Sequence, residues 1–432
     1  MKIPEILLIE TLHQPGSLAR VLTVIGDCGL VIEDLNAIRR NEERTVWEIA
    51  LDLDAADEHN LFEHIKALPN ASVLGKSDRV FNRHIGGKIQ MVSRAPLASL
   101  QELRDIYTPG VARVCLAIQD DPKLVRRYTN IDRTVAIITN GTAILGLGDI
   151  GPVAGLPVME GKAALMAKLS DLSGIPILIE EKDPQRLIEV IAAIAPSFGA
   201  IQLEDIAAPA CFEVEEGLRR RLNQPVLHDD QHGTAVVTLA ALESAVSRLG
   251  LDIRESIVGQ IGLGAAGIGI ARLLLAHGVR RLLGVDINQK AIDRLESLGG
   301  ERSDLESIMK KADVVIATTG RPGLIKPDMV RKGQLILALS NPDPEIEPVE
   351  AIQRGAVFAA DGKSINNVLG FPGLFRGVLD AGAKAFTDDM LFAAARAISN
   401  AAPDGELVPQ PLDRRVHDAV ARAVCEAAQG KR

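Results

Sequence analysis

The chain has 432 residues, 47% of them hydrophobic and only 3% aromatic, with a formal net charge of −9. This length suggests roughly three domains with sizeable cores, while the acidic balance and the scarcity of rings argue against a nucleic-acid partner or an anionic membrane surface. Cys28, Cys115, Cys211 and Cys425 are too scattered for a disulfide framework, no uncharged apolar run reaches spanning length, and Glu5 and Glu10 interrupt the first apolar run, so the expectation is a cytoplasmic protein with no membrane segment.

Residues 1–80 read as a small α/β unit. Ile6–Leu12 predicts a strand and His13–Gly16 a turn. Ser17 is placed to cap a helix in which Leu18, Val21, Leu22 and Ile25 share one face up to Gly29. Val31–Arg39 and Thr45–Leu53 predict strands around the polar turn Asn41–Arg44. Leu61, Phe62, Ile65 and Leu68 mark a second helix, and Ser72–Val80 a last strand. The order βαββαβ is ferredoxin-like. With its Pro-Gly turn and the helix after it, the unit resembles the ACT domain, a regulatory module. The resemblance implies a small-molecule effector site or a dimerisation role.

A linker is expected over Phe81–Ile89, around Gly86-Gly87, followed by helical sequence that Tyr107-Thr108-Pro109-Gly110-Val111 interrupts before Ala112–Ile118 continues it. Val135–Thr139 is a buried strand. Gly146, Gly148 and Gly151 match G-x-G-x-x-G, but Pro152, Gly155 and Pro157 follow, so this copy reads as a glycine-rich loop that opens no helix. Ala163–Leu169 is a short helix of small residues, Ile175–Ile179 and Pro225–Leu227 are strands, and Ile201–Ile206 contains Glu204 and Asp205. His228–Thr234 leads into a long apolar helix.

The second G-x-G-x-x-G stands in a different context. Ile257–Ile261 is a strand, Gly262, Gly264 and Gly267 follow it, apolar residues continue at helical spacing to Ala276, and Arg281–Val285 is a second strand ending on Asp286. Strand, glycine turn, helix, strand and acid together make a dinucleotide fingerprint, with the pyrophosphate at the helix N-terminus and the ribose on the acid. Gly262, Gly264, Ala265, Ala266, Gly267 and Asp286 are the candidate NAD contacts. Val314–Ala317 and Leu335–Leu339 are further strands, ending at Thr318 and at Ser340-Asn341, where a doubly wound sheet places its ligands. Thr318 and Asn341 therefore join the cofactor set. The tail after Asp388 reads as helical, broken at Pro403 and Pro409–Pro411.

Glu204, Asp205 and Asp230 bring three carboxylates from two loops, hard oxygen ligands suited to Mg²⁺ or Mn²⁺. His228 and His232 are four apart, but Asp229 stands where a zinc protease motif has Glu, so the histidines read as loop or helix-cap residues. Lys162 follows a glycine-rich loop, and a partly buried lysine beside a metal can have its pKa lowered enough to act as a base.

Tyr107-Thr108-Pro109-Gly110-Val111-Ala112, Leu145–Gly151, Met159-Glu160-Gly161-Lys162-Ala163, Leu203-Glu204-Asp205-Ile206 and Asp229–Thr234 occur in this order, and with them the chain resembles the bacterial-type malic enzymes over roughly residues 85–400. The resemblance implies NAD- and metal-dependent oxidative decarboxylation of L-malate to pyruvate and CO₂. It implies Lys162 as general base, Tyr107 as general acid, and Asn341 and Asn367 as substrate-binding amides. It also implies a homo-oligomer, a dimer or larger. The expected partition is an ACT-like domain over 1–80, a malic-enzyme N-terminal catalytic domain over 81–220, a Rossmann-type NAD-binding domain over 221–400 and a helical tail over 401–432. One departure stands out. Larger, eukaryotic-type members carry an arginine before the Leu-Gly-Leu-Gly-Asp loop, where this chain has Ala143, so Lys162, Asn367 or a cation from elsewhere must meet that substrate carboxylate.

Overall fold

The computed structural model describes residues 3–430 except Leu145, Leu251, Pro342 and Ser364, so those positions of the quoted motifs lie outside the described residues. The chain divides into two compact units, Met1–Lys88 and Ile89–Arg432.

In the first unit, β1 (Ile3–Leu12), β2 (Ile32–Arg40), β3 (Arg44–Leu53) and β4 (Ala71–Lys76) form an antiparallel sheet of order β2-β3-β1-β4. With the helices Ser17–Asp27 and Ala55–Lys66 this is the expected βαββαβ order. Leu7 and Ile9 on β1, and Ile49 and Leu51 on β3, alternate with more exposed residues, so a single face meets Val21, Ile25, Leu61 and Ile65 of the helices. Three local expectations fail. Ser17 is the first helical residue and is buried, and Gly16, at φ 82°, occupies the cap position without a side-chain bond. The last strand stops at Lys76. Ser77 and Arg79 both bond Glu48, at 2.8 Å each, which turns the chain into a helix over Arg79–His84 where a linker was expected.

In the second unit, β5 (Thr134–Thr139), β6 (Ser173–Leu178), β7 (Ala200–Leu203) and β8 (Val226–His228) form a parallel sheet of order β6-β5-β7-β8. A second parallel sheet holds β9 (Ile257–Ile261), β10 (Arg281–Val285), β11 (Glu301–Arg302), β12 (Val314–Ala317), β13 (Leu335–Ala338) and β14 (Phe358–Asp361) in the order β11-β10-β9-β12-β13-β14. Counted from β9, that is the 3-2-1-4-5-6 order of the doubly wound dinucleotide fold. β11 and β14 had no strand signal in the sequence.

The glycine-rich loop does open a helix, contrary to the sequence-based reading. It runs Pro152–Ser170 with Gly151 at its cap. Proline at the first helical position lacks only an amide that would have no partner there, and Pro157 forgoes one bond in the second turn. Burial of Met159, Lys162, Ala163, Met166 and Leu169 on one face holds the helix. A further helix, Asp229–Leu249, begins immediately after β8. Asp230 is thus a helical residue and not a loop one. At Gly269 in the Ala265–His277 helix, a Cβ would come within 2.3 Å of the Gln231 carbonyl, so these two helices touch backbone to backbone. The Arg414–Ala428 helix buries Val420 and Val424 against Gly373 and Gly377 of the Phe371–Asp380 helix, which the sequence did not signal.

Candidate active site

β7 and β8 are parallel neighbours, so the residues that follow them emerge at the same end of the sheet. Glu204 and Asp205 follow β7; Asp229 and Asp230 follow β8. Glu204, Asp205 and Asp230 each offer a carboxylate oxygen, all within 4.8 Å of one another. Asp205 holds the left-handed conformation (φ 52°), which aspartate tolerates better than most residues. There its N–H donates to Asp230 Oδ2 at 3.0 Å and its carbonyl accepts from the Ala143 amide at 3.0 Å. Gln202 Nε2 steadies Glu204 at 2.6 Å. An all-oxygen carboxylate set fits Mg²⁺ or Mn²⁺, and the three close-set anions leave a charge that such an ion would balance.

Lys162 reaches this cluster from the middle of its helix and is 8% exposed. Its Nζ lies 2.5 Å from Asp229 Oδ2, 3.0 Å from Glu204 Oε1 and 4.4 Å from the Phe371 ring centroid. Asn367 Nδ2 donates to the same Asp229 oxygen at 2.8 Å. One turn further on, a Cβ at Gly233 would come within 2.0 Å of Asp229 Oδ1, so only glycine leaves room for that carboxylate. The sequence-based reading passed over Asp229, although the Asp-Asp doublet was visible.

Burial is the largest influence on these groups. It pushes Asp229 and Asp230 up to about 6 against the pull of Lys162, and raises Glu204 likewise. Burial also favours a neutral Lys162, but the charges of Asp229 and Glu204 outweigh it and hold the ammonium above its ordinary value. In the protein's own field the expected lowered lysine pKa is therefore not found, because two carboxylates touch the amine. A divalent cation among them would act in the opposite sense.

His228 and His232 meet in a network around Glu215, and His228 Nε2 also lies 3.6 Å from Asp230 Oδ2. Glu215 accepts from the His228 amide at 3.1 Å and from Gln231 at 3.2 Å, and lies 2.9 Å from His232 Nε2. Burial alone would raise Glu215, but His232 brings it down to about 2, and burial drives His228 down to about 4. His232 lies buried inside the helix, beyond any cap.

Across the cleft stands the glycine turn. Gly262 has φ 88°, a Cβ at Gly267 would meet the Gly262 carbonyl at 2.0 Å, and Gly264 faces open space. Ala265 starts the helix. Asp286 accepts from the Leu263 amide at 2.7 Å and from the Asn288 amide at 2.8 Å, which fixes the carboxylate beside the turn. A cleft of about 500 Å³ brings Lys162, Glu204, Asp205 and Asp230 to one set of walls with Ala266, Thr318, Asn341 and Asn367. Ser340, Asn366 and Thr234, which the sequence did not single out, also line it. Ala143 lines it too, and Lys162 is the only lysine or arginine among the described lining residues. Tyr107 is not brought to this cleft. It is 66% exposed, following the helix Leu100–Ile106.

Comparison with known proteins agrees with this arrangement. Residues 86–219 match the family described as malic enzyme, N-terminal domain. The chain is 53% identical to NAD-dependent malic enzyme 1 of Bacillus subtilis over 98% of its own length and 97% of the relative's. It belongs to the malic enzyme family. A second relative, the NAD-dependent malic enzyme of Geobacillus stearothermophilus, is 40% identical over 95% of this chain and 91% of that one. The crystal structure of a malic enzyme from Pyrococcus horikoshii superposes with a TM-score of 0.78 at 39% identity, covering 82% of this chain and 90% of that one. The matched malic enzyme N-terminal segment carries Lys162, Glu204 and Asp205, whereas Asp230 and the dinucleotide turn lie beyond it.

Proposed function

We propose that this protein converts L-malate to pyruvate and CO₂ by oxidative decarboxylation. Glu204, Asp205 and Asp230 hold Mg²⁺ or Mn²⁺, and the turn from Gly262 to Gly267, with Asp286, holds NAD⁺. The observation that carries the reading is Lys162, gripped by Asp229 and Glu204 at the edge of a three-carboxylate cluster and opening on the cleft that Ala266 and Thr318 also line. The bound ion supplies Lewis acidity at the C2 oxygen of malate, and NAD⁺ supplies the hydride acceptor. With that ion countering the charges of Asp229 and Glu204, Lys162 would stand as the neutral amine and take the proton of the C2 hydroxyl, and Asp229 would hold it in line. Asn341 and Asn367 offer amide donors to a substrate carboxylate, in place of the arginine that Ala143 replaces. Tyr107 protonates C3 of enolpyruvate.

Tyr107 is exposed on its own chain, in a segment where Leu100 (74%) and Leu116 (60%) are exposed as well. We assign that apolar surface to a second copy, in a dimer or larger homo-oligomer whose cleft receives the phenol. Residues 1–80 act as an ACT-like regulatory domain, through a small-molecule effector or through dimerisation. Residues 81–220 form the bulk of the catalytic domain, whose sheet β8 (Val226–His228) completes from beyond that boundary; the rest of 221–400 forms the NAD-binding domain and 401–432 a helical tail. Among the described residues no helix is long and apolar enough to cross a membrane, and the proposed place of action is the cytoplasm.

The test is an assay of malate, NAD⁺ and Mn²⁺ that follows NADH together with pyruvate and CO₂. An intact keto acid as product would instead make the protein a dehydrogenase of another hydroxy acid. Binding of NADH without turnover of malate would make it a silent regulator.

A further inference from the structure

β12 and β13 pair in parallel through Ala317 and Ala338, and the residues just past both strands face the cleft: Thr318 after β12, and Ser340 and Asn341 after β13. Behind them lies a residue with no part in the reaction described above. Glu345 is wholly buried, and no lysine, arginine or histidine among the described residues forms an ion pair with it. Its Oε1 accepts three bonds, from the Thr319 amide at 2.6 Å, the Thr319 hydroxyl at 2.8 Å and the Ser340 hydroxyl at 2.5 Å. Its Oε2 faces the Ser340 amide at 3.4 Å. The Ser340 hydroxyl oxygen in turn accepts from the Gly320 amide at 2.8 Å, and the Glu345 carbonyl accepts from the Ile325 amide at 3.0 Å.

Burying a carboxylate without a counter-charge is costly, and it persists where converging donors replace water. Here every donor comes from one of two chain segments: Thr319 beside Thr318, and Ser340 beside Asn341. An apolar residue could fill the space but could not tie the two together.

We propose that Glu345 is a positioning residue that holds the cofactor edge of the cleft, at Thr318, and its substrate edge, at Asn341, at a single separation. This rests on the malic enzyme reading for the identity of the two ligands. Because one carboxylate sets both edges, loosening it weakens both ligands together. The metal cluster, on the other sheet, keeps its affinity.

The experiment uses the full-length protein and two variants. Glu345→Gln keeps the shape but loses the charge and turns one oxygen into a donor. Thr319→Val removes a single hydroxyl from a residue that does not line the cleft. NADH binding is read by nucleotide fluorescence, malate by its KM, and Mn²⁺ by titration. In Glu345→Gln the NADH dissociation constant and the malate KM should both rise about tenfold, with Mn²⁺ affinity within about twofold of the parent. Thr319→Val should move the same two constants in the same direction by less. A residue that served stability alone would lower the melting temperature and leave both constants unchanged, and that result overturns the proposal. If Glu345→Gln does not fold, Thr319→Val decides by the same criterion. A parent protein that fails to bind NADH would overturn the cofactor reading, and this inference with it. A parent that binds NADH beside a Glu345→Gln variant that binds it equally well overturns this inference alone.

Discussion

Lys162 Nζ lies 2.5 Å from Asp229 Oδ2, and the same oxygen accepts a 2.8 Å bond from Asn367. The group proposed to move the proton and an amide proposed to hold the substrate are thus anchored on one buried atom. Lys162→Ala should lower malate oxidation by about 10²–10⁴-fold, the range of a general acid–base group. Asp229→Asn, which keeps the shape but not the charge, should lower kcat by about tenfold or more with the fold retained by circular dichroism. Steady-state kinetics check both, and an Asp229→Asn enzyme with the parent's kcat would show that the anchor is dispensable.

Metal binding should release protons. Asp230 is pushed by burial to about 6, and Glu204 above its ordinary value, while a cation needs its carboxylate ligands ionised. Apparent Mn²⁺ affinity should therefore rise from about pH 5 to about pH 7 and level off above. The effect on folding has a definite sign. Acids raised in the fold favour it fully below their unfolded values, about 3.9 for aspartate, and that contribution is lost as pH rises through about 6. His228, lowered to about 4, contributes in the other direction: its share is full above about 6.5 and is lost as pH falls through about 4. Calorimetric titration in buffers of different ionisation enthalpy tests the proton release, and a pH-independent affinity over that window would contradict it.

Tyr107→Phe should keep the fold, Mn²⁺ binding and NADH binding, and lose most in solvent tritium exchange into pyruvate C3. With the phenol 66% exposed on its own chain, mixing Lys162→Ala and Tyr107→Phe proteins under conditions that exchange subunits should restore part of the activity that neither has alone. Failure of the mixture, with hetero-oligomers shown to form, would return Tyr107 to the cleft of its own chain.

NAD⁺ should be preferred to NADP⁺. Both oxygens of Asp286 are held by backbone amides, so the carboxylate cannot swing away from a 2′-phosphate. Asp286→Ala should narrow the preference measured as a ratio of kcat/KM values. Equal use of both cofactors by the parent would refute the role given to Asp286.

Removal of residues 1–88, the whole first unit, should leave malate oxidation and change either effector response or association state. Size-exclusion chromatography with the malate assay checks this, and a folded but inactive remainder would place part of the catalytic machinery in that unit.

What the sequence disclosed was local. Ile257–Asp286 was legible because strand, turn, helix and acid follow one another within one βαβ unit. Glu204, Asp205 and Asp230 were legible because their side chains declare a hard-oxygen site whatever the backbone does. Asp229 was missed because its meaning lies in contacts with Lys162 and Asn367, 67 and 138 residues away along the chain. The first half of the Pro152–Ser170 helix was missed because Pro152, Gly155 and Pro157 give it poor propensity, which its burial within the unit outweighs, whereas the half from Ala163 was expected. The exposure of Tyr107, 66% on its own chain, had no signal in the local pattern around it.

Gly269 sets a limit on motion. Asp230 sits at the start of one helix and Ala266 at the start of another, and with no side chain at Gly269 the second helix lies directly on the Gln231 backbone of the first. Two helices in such contact have no layer of side chains to shear across. Any breathing of the cleft must then carry Asp230 and the dinucleotide turn as a single body. Whatever tunes the distance between ion and nicotinamide in this enzyme does so outside that seam.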